Sequence, residues 1–157
     1  MTDKVDIVDT PQIPEIAGIA LRRQSKGPML TVTSCAVSVE HGVARDTRGK
    51  PGKRQLTLLS LEAWEEACRS LDIDLAWTAR RANILVRGKM FSAADVGKTV
   101  SIGDLKLEIT RETDPCIRMD AAHPGLQAAL ASDWYGGVCC RVLVAGHIAV
   151  GDRIDIQ

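Results

Sequence analysis

The sequence predicts a mainly β fold with two or so helices, an α+β chain whose strands form a mostly antiparallel β-barrel. Three observations lead there. Short runs rich in β-branched and aliphatic residues recur along the chain, bounded by glycine-containing turns. Apolar residues at helical spacing mark only two stretches. Strands and helices do not alternate in the βα rhythm of a parallel sheet.

Taken in order, residues 1–15 are polar, carry Pro11 and Pro14, and read as a loose lead-in to a single domain over residues 16–157. "GIALR" (18–22) opens a strand. "MLTVTSCAVSVE" (29–40) reads as one long strand, with room for a bulge. "HGVARDTRGKPGKRQ" (41–55) is a long, basic, glycine-rich loop of a kind uncommon without a function. "LTLLS" (56–60) is a short buried strand. Ser60 then caps a helix over 61–71, with Glu62 in its first turn and Leu61, Trp64, Cys68 and Leu71 at helical spacing. "ANILVRG" (82–88) is a strand, and "KTVSIGDLKLEIT" (98–110) is a hairpin turning at Gly103-Asp104. "HPGLQAALASD" (123–133) predicts a second helix, with Pro124 in its first turn. "GVCCRVLVAG" (137–146) and "DRIDIQ" (152–157) are strands joined through "HIAVGD".

Composition narrows the function. The chain has 157 residues, 45% of them apolar, enough for one real core. Lys+Arg and Asp+Glu balance at 20 each, which argues against bulk capture of nucleic acid but leaves room for a local anion site. No apolar run reaches the roughly 20 residues of a membrane span. The N-terminus lacks the basic start and apolar middle of a signal peptide. Five cysteines with no CxxC pair suit free thiols in a reducing cytosol better than a disulfide framework or a structural zinc site.

The stretches "GKRQLTLLSLEAW" (52–64), "RANILVRG" (81–88), "SIGDLKLEIT" (101–110), "DPCIR" (114–118), "GGVCCRVL" (136–143) and "GHIAVGDRI" (146–154) follow one another in an order that resembles MOSC domains. Those are the C-terminal domains of molybdenum-cofactor sulfurases and also occur as standalone bacterial proteins. The resemblance covers roughly residues 16–156. It implies a barrel of the pyruvate-kinase type and a role around the molybdenum cofactor (molybdopterin). The motif cysteine, here Cys116, would either ligate molybdenum or carry a persulfide sulfur to an acceptor. The family's R-x-N matches Arg81 and Asn83, which would grip the pterin's phosphate. The loop before "LLS" approaches that phosphate too, and here it supplies Lys53 and Arg54.

The resemblance further implies one enzymatic activity, reduction of N-hydroxylated small molecules at molybdenum. Electrons would come from a separate donor protein, because the chain carries no flavin, haem or iron–sulfur motif. In the sulfur-carrier reading the partner is a sulfur donor. Pyridoxal phosphate is not expected, since the domain that holds it in the full sulfurases has no counterpart here. The G-D-x-H segment of many standalone members also departs: "HGVARDTRGK" keeps Asp46, while its histidine is absent or displaced to His41.

The residues weigh as follows on their own chemistry. A thiolate is a soft ligand for molybdenum and the form that carries a persulfide, and Arg118 or Arg111 would stabilise it at Cys116. Asp114 and Asp120 would oppose that. A buried packing thiol is the usual fate of a free cysteine, but "TDPCIRMD" is polar and turn-like. Cys35 and Cys68 read as core, and one of Cys139 and Cys140 must face away from the other. Arg45, Arg48, Lys50, Lys53 and Arg54 suit either a phosphate-binding loop or a solvated one. Arg81 and Asn83 share one face by the period of two, whereas Arg80 and Arg81 together read as a strand's solvent end. Arg141 either snorkels or faces a polar cavity. The three histidines read as structural or solvent-facing.

Overall fold

The computed structural model describes residues 13–116 and 118–157, so most of the expected lead-in lies outside it. In chain order the elements are β1 (Glu15–Leu21), β2 (Leu30–Val32), β3 (Ser34–Ser38), β4 (Gly42–Val43), β5 (Leu56–Ser60), α1 (Leu61–Ser70), β6 (Ile84–Arg87), β7 (Thr99–Ile102), β8 (Leu105–Glu112), α2 (Arg118–Ala122), α3 (Leu126–Ala131), β9 (Val138–Val144), β10 (Gly146–Ala149) and β11 (Asp155–Ile156). Among the described residues, eight strands form one sheet in the order β11-β7-β8-β9-β5-β6-β1-β2. A smaller sheet runs β10-β3-β4.

Every described strand pair is antiparallel except β5–β6, whose Leu58 lies beside Ile84. A parallel pair needs a crossover, and α1 provides it. The large sheet curls until its ends approach. Ile16 N–H donates to Asp152 O at 2.9 Å and Ile154 N–H to Pro14 O at 2.8 Å, tying the start of β1 to the segment leading into β11. Among the described residues the result is a barrel-like, mostly β fold with three short helices.

The pleat sorts the core into two layers. Leu56 and Leu58 of β5, with Ile84 and Val86 of β6, face the barrel interior beside Ile16, Leu107 and Ile109. Leu59 and Leu85 point the other way, onto Trp64, Ala67 and Cys68 of α1 and Leu126 and Leu130 of α3. Each such fully buried aliphatic side chain contributes roughly 1.5–3 kcal/mol. Ser60 caps α1 as expected, its Oγ accepting from Ala63 N–H at 3.1 Å. Trp64 Nε1 donates to Leu75 O at 3.0 Å, which keeps the chain after α1 against the helix.

Two expectations need correction. "MLTVTSCAVSVE" is not one strand: it breaks at Thr33, with β2 in the large sheet and β3 in the small one. Thr33 O instead accepts Val150 N–H at 2.9 Å, so the chain changes partner there. The helix expected over 123–133 begins only at Leu126, and an unexpected turn of helix, α2, precedes it. Pro124 disfavours a helical His123 and lacks the N–H that would join the two.

Asp95 is an acid the sequence did not advertise. Its side chain is 1% exposed and accepts from Lys89 Nζ at 3.0 Å, Lys98 Nζ at 2.9 Å and Ser92 N–H at 2.9 Å. Burial pushes its pKa up, but Lys98, Ser92 N–H and Lys89 together hold it below the usual carboxylate value. A carboxylate depressed in the folded state contributes stability above its unfolded pKa, and that share is lost as pH falls through the folded value. Acid unfolding of the wild type should therefore include a component below about pH 4 that Asp95→Asn lacks, read by urea midpoints at stepped pH.

Candidate functional site: an arginine-lined cleft with an exposed thiol

The site forms where β1 and β8 end and β5, β6 and β9 begin. Arg22 follows β1. Arg48 and Arg54 come from the loop between β4 and β5. Arg80 and Arg81 follow the short turn Trp77–Ala79. Asp114 and Cys116 follow β8, and Arg118 and Met119 open α2. Together with Ala79 these residues line a cleft of about 460 Å³. Six arginines thus share one cavity with a single lining carboxylate and an exposed thiol, Cys116.

Asp46 ties the basic loop to this cleft. Its carboxylate, 1% exposed, accepts from Arg81 Nη2 at 3.0 Å on both oxygens and from Arg22 N–H at 2.9 Å. Gln55 holds the loop from below, donating to Val39 O at 2.6 Å and Gly49 O at 3.1 Å and accepting Val142 N–H at 2.9 Å. Gly49 must be glycine: a Cβ there would sit 1.5 Å from His41 O.

Arg80 is 4% exposed, the opposite of a strand's solvent end. Its Nη2 donates to Thr113 O at 3.0 Å and Gly136 O at 2.9 Å, and its Nε reaches Gly136 O at 3.2 Å. One guanidinium therefore joins the turn that carries Cys116 to the turn before β9. Gly136 makes the approach possible, since a Cβ would lie 2.6 Å from Thr113 O and 3.1 Å from Arg80 Nη2. Thr113 also meets Cys139, with Oγ1 3.3 Å from Sγ.

The charge is crowded. Burial lowers the pKa of Arg80, and Arg54 lowers it further, against Cys116, Cys139 and Asp114. Burial likewise lowers Arg48, with Arg81, Arg54 and Arg118 adding to it. Arg81 is lowered by burial despite Asp46. All remain cations, because arginine starts far above neutral pH. Among the described residues, three of the four buried side-chain atoms without a hydrogen-bond partner lie around Asp46: Arg22 Nε, Thr47 Oγ1 and Arg81 Nε. Clustered unpaired donors of this kind mark a locally strained, polar region behind the cleft.

Of the expected site residues, Cys116, Arg54, Arg81 and Arg118 line the cleft. Lys53 does not: it is exposed beside it, and its carbonyl accepts from Thr110 Oγ1 at 2.5 Å. Asn83 is a correction. It is 0% exposed, its Oδ1 accepting Thr57 N–H at 3.1 Å and its Nδ2 donating to Ala20 O at 3.2 Å. Residues 81–83 precede β6, so the period of two does not hold there: Asn83 turns inward, joins β5 and β1, and is buried away from any ligand. Of the lining arginines, Arg22 carries no expectation from the sequence and Arg80 carries that of a strand's solvent end. The Arg80-Arg81 pair with Gly136-Gly137 was the available signal for one, and nothing marked the other.

The remaining candidates fall elsewhere. Arg141 lies opposite Glu108 on β8, Nε to Oε1 3.8 Å. Cys139 and Cys140 are both fully buried, and burial pushes Cys140 well up. Cys68 is core, but Cys35 is only half-buried and lines a separate cavity. Its pKa is pushed up to about 11 by burial. A larger cavity of about 630 Å³, at the far end of β8, carries Lys89 and Lys98, both already spent on Asp95. Among the described residues no three His, Cys, Asp or Glu side chains converge as a metal cluster. No described helix is long and apolar enough to cross a membrane.

Residues 22–155 match the MOSC domain family. The chain belongs to that family. MOSC domains are associated with molybdenum-cofactor binding. Similar solved structures include the YuaD protein of Bacillus subtilis, 17% identical, with a TM-score of 0.77 and 92% of this chain and 96% of that one covered. YiiM of Geobacillus stearothermophilus is 17% identical, with a TM-score of 0.69 and coverage of 92% and 75%. YiiM of Escherichia coli is 13% identical, with a TM-score of 0.69 and coverage of 91% and 69%. At these identities the likeness speaks for the fold, and every site residue of this MOSC chain rests on its own geometry. Comparison with curated proteins gives no match.

Proposed function

We propose that this MOSC domain binds a molybdopterin-type cofactor in the arginine-lined cleft, with Cys116 at its metal end. The observation that carries the reading is the shared cavity: six guanidinium groups and one exposed thiol. The fit is chemical. Guanidinium forks suit phosphate oxygens, and a thiolate suits a soft metal. Arg54, Arg118 and Arg48 would hold the phosphate, with Arg81 steadied by Asp46. Arg80 would keep the Cys116 turn in place.

When bound, such a cofactor supplies two-electron redox chemistry, of which reduction of N-hydroxylated small molecules is the reaction we propose. A separate protein would deliver the electrons. The chain's own residues would bind the anionic end, and Cys116 would offer one ligand at the other.

The exposure of Cys116 favours a second reading, a sulfur carrier with a persulfide on that thiol and no metal. Protein purified from cells supplied with molybdate separates the two. The cofactor reading expects near-stoichiometric pterin and molybdenum, with the metal lost in Cys116→Ala and the pterin lost in an Arg54→Gln, Arg118→Gln double variant. Cyanide-labile sulfur on Cys116 without metal or pterin would overturn it in favour of the carrier.

A further inference from the structure

The cleft has more cationic charge than its own carboxylates balance. Asp46 offsets Arg81 from behind, and among the described residues Asp114 is the one acid on the lining, against six arginines. The thiol opens into that same excess. Sulfur donors differ in what they ask of such a place. An inorganic polysulfide carries charge but no oxygen, and an alkyl persulfide a single charge, so neither offers the oxygens that a guanidinium fork bonds in pairs. A sulfane donor with a sulfonate end brings three oxygens and two negative charges, which an approaching thiolate repels unless cations offset them.

We propose that the cleft accepts sulfur from thiosulfate-type donors, with the arginines on the sulfonate oxygens and Cys116 as the nucleophile. The inference rests on the carrier reading of Cys116 and is the alternative to the pterin reading of the same cleft. The Cys116 thiolate attacks the outer, sulfane sulfur and a new S–S bond forms. The bond between the two donor sulfurs breaks, and its electron pair leaves with sulfite, still a dianion beside the arginines. Cys116 ends as a persulfide anion, so charge balances without an outside oxidant or reductant. An acceptor thiolate, or cyanide in an assay, then takes the outer sulfur and restores the Cys116 thiolate.

The test uses the full chain with thiosulfate or inorganic polysulfide as donor. It reads intact mass for an adduct of about 32 Da, one sulfur atom, and thiocyanate release with cyanide. Thiosulfate should load the wild type and not Cys116→Ser, and inorganic phosphate should compete. Arg54→Gln and Arg118→Gln, both at exposed positions, should each raise half-saturating thiosulfate about tenfold, the scale of one charge-assisted hydrogen bond, and raise half-saturating polysulfide, which has no sulfonate oxygens, by clearly less. Loading by polysulfide but not thiosulfate overturns this donor and leaves the carrier reading standing. Loading by neither overturns both. Unchanged thiosulfate saturation in the arginine variants overturns the recognition.

Discussion

An Asp46→Asn variant should lose on the order of 3 kcal/mol of stability and bind anions more tightly than the wild type. Asp46 is the fully buried half of an ion pair whose other half, Arg81, is 16% exposed in its side chain. Asparagine keeps the shape and can still accept Arg22 N–H. It cannot neutralise a guanidinium, so Arg81 is left uncompensated beside Arg22 and Arg54, which already act on it. The same change adds one unit to the cleft's cationic excess. Stability and anion affinity should therefore move in opposite directions. Urea unfolding and a phosphate titration on one protein sample measure both. A variant as stable as the wild type, with the same phosphate affinity, would show that the loop does not depend on this pair.

Arg80→Ala should cost about 3–5 kcal/mol, because it strands two buried carbonyls, Thr113 O and Gly136 O, and leaves a side-chain-sized void. Arg80→Lys should recover only part of this. Lysine restores the charge, but an ammonium lacks the planar fork that reaches both carbonyls at once. Hydrogen exchange at residues 113–116 should rise in both variants, since that turn is what the guanidinium holds. Equal stability of the Lys variant and the wild type would sink the fork argument.

How far the sequence could be read depends on what kind of information each element needs. β5, α1 with its Ser60 cap, and the β7–β8 hairpin were legible because period, capping chemistry and turn residues are local. The split of 29–40 was not, because Thr33 takes its partner from residue 150. Arg80 and Asn83 were misjudged for one reason. Adjacent polar residues at a strand entrance look alike in sequence, and only the packing decides which is buried. Here Arg80 turns under the Cys116 segment and Asn83 into the sheet, while Arg81 faces the cleft.

By itself the sequence determined a mostly β chain with two helical regions, the family resemblance and the candidate cysteine, Cys116, which the fold leaves exposed in a cleft. The first follows from periodicity and turn residues, which are local; the resemblance is carried by an ordered series of short stretches over residues 52–154, and Cys116 follows from it. The tertiary structure alone decided that Arg22, Arg48, Arg54, Arg80, Arg81 and Arg118, spread over nearly a hundred positions, share one cavity with that thiol. A formal charge of zero conceals such a site, because net charge sums over the chain while binding depends on which charges the fold brings together.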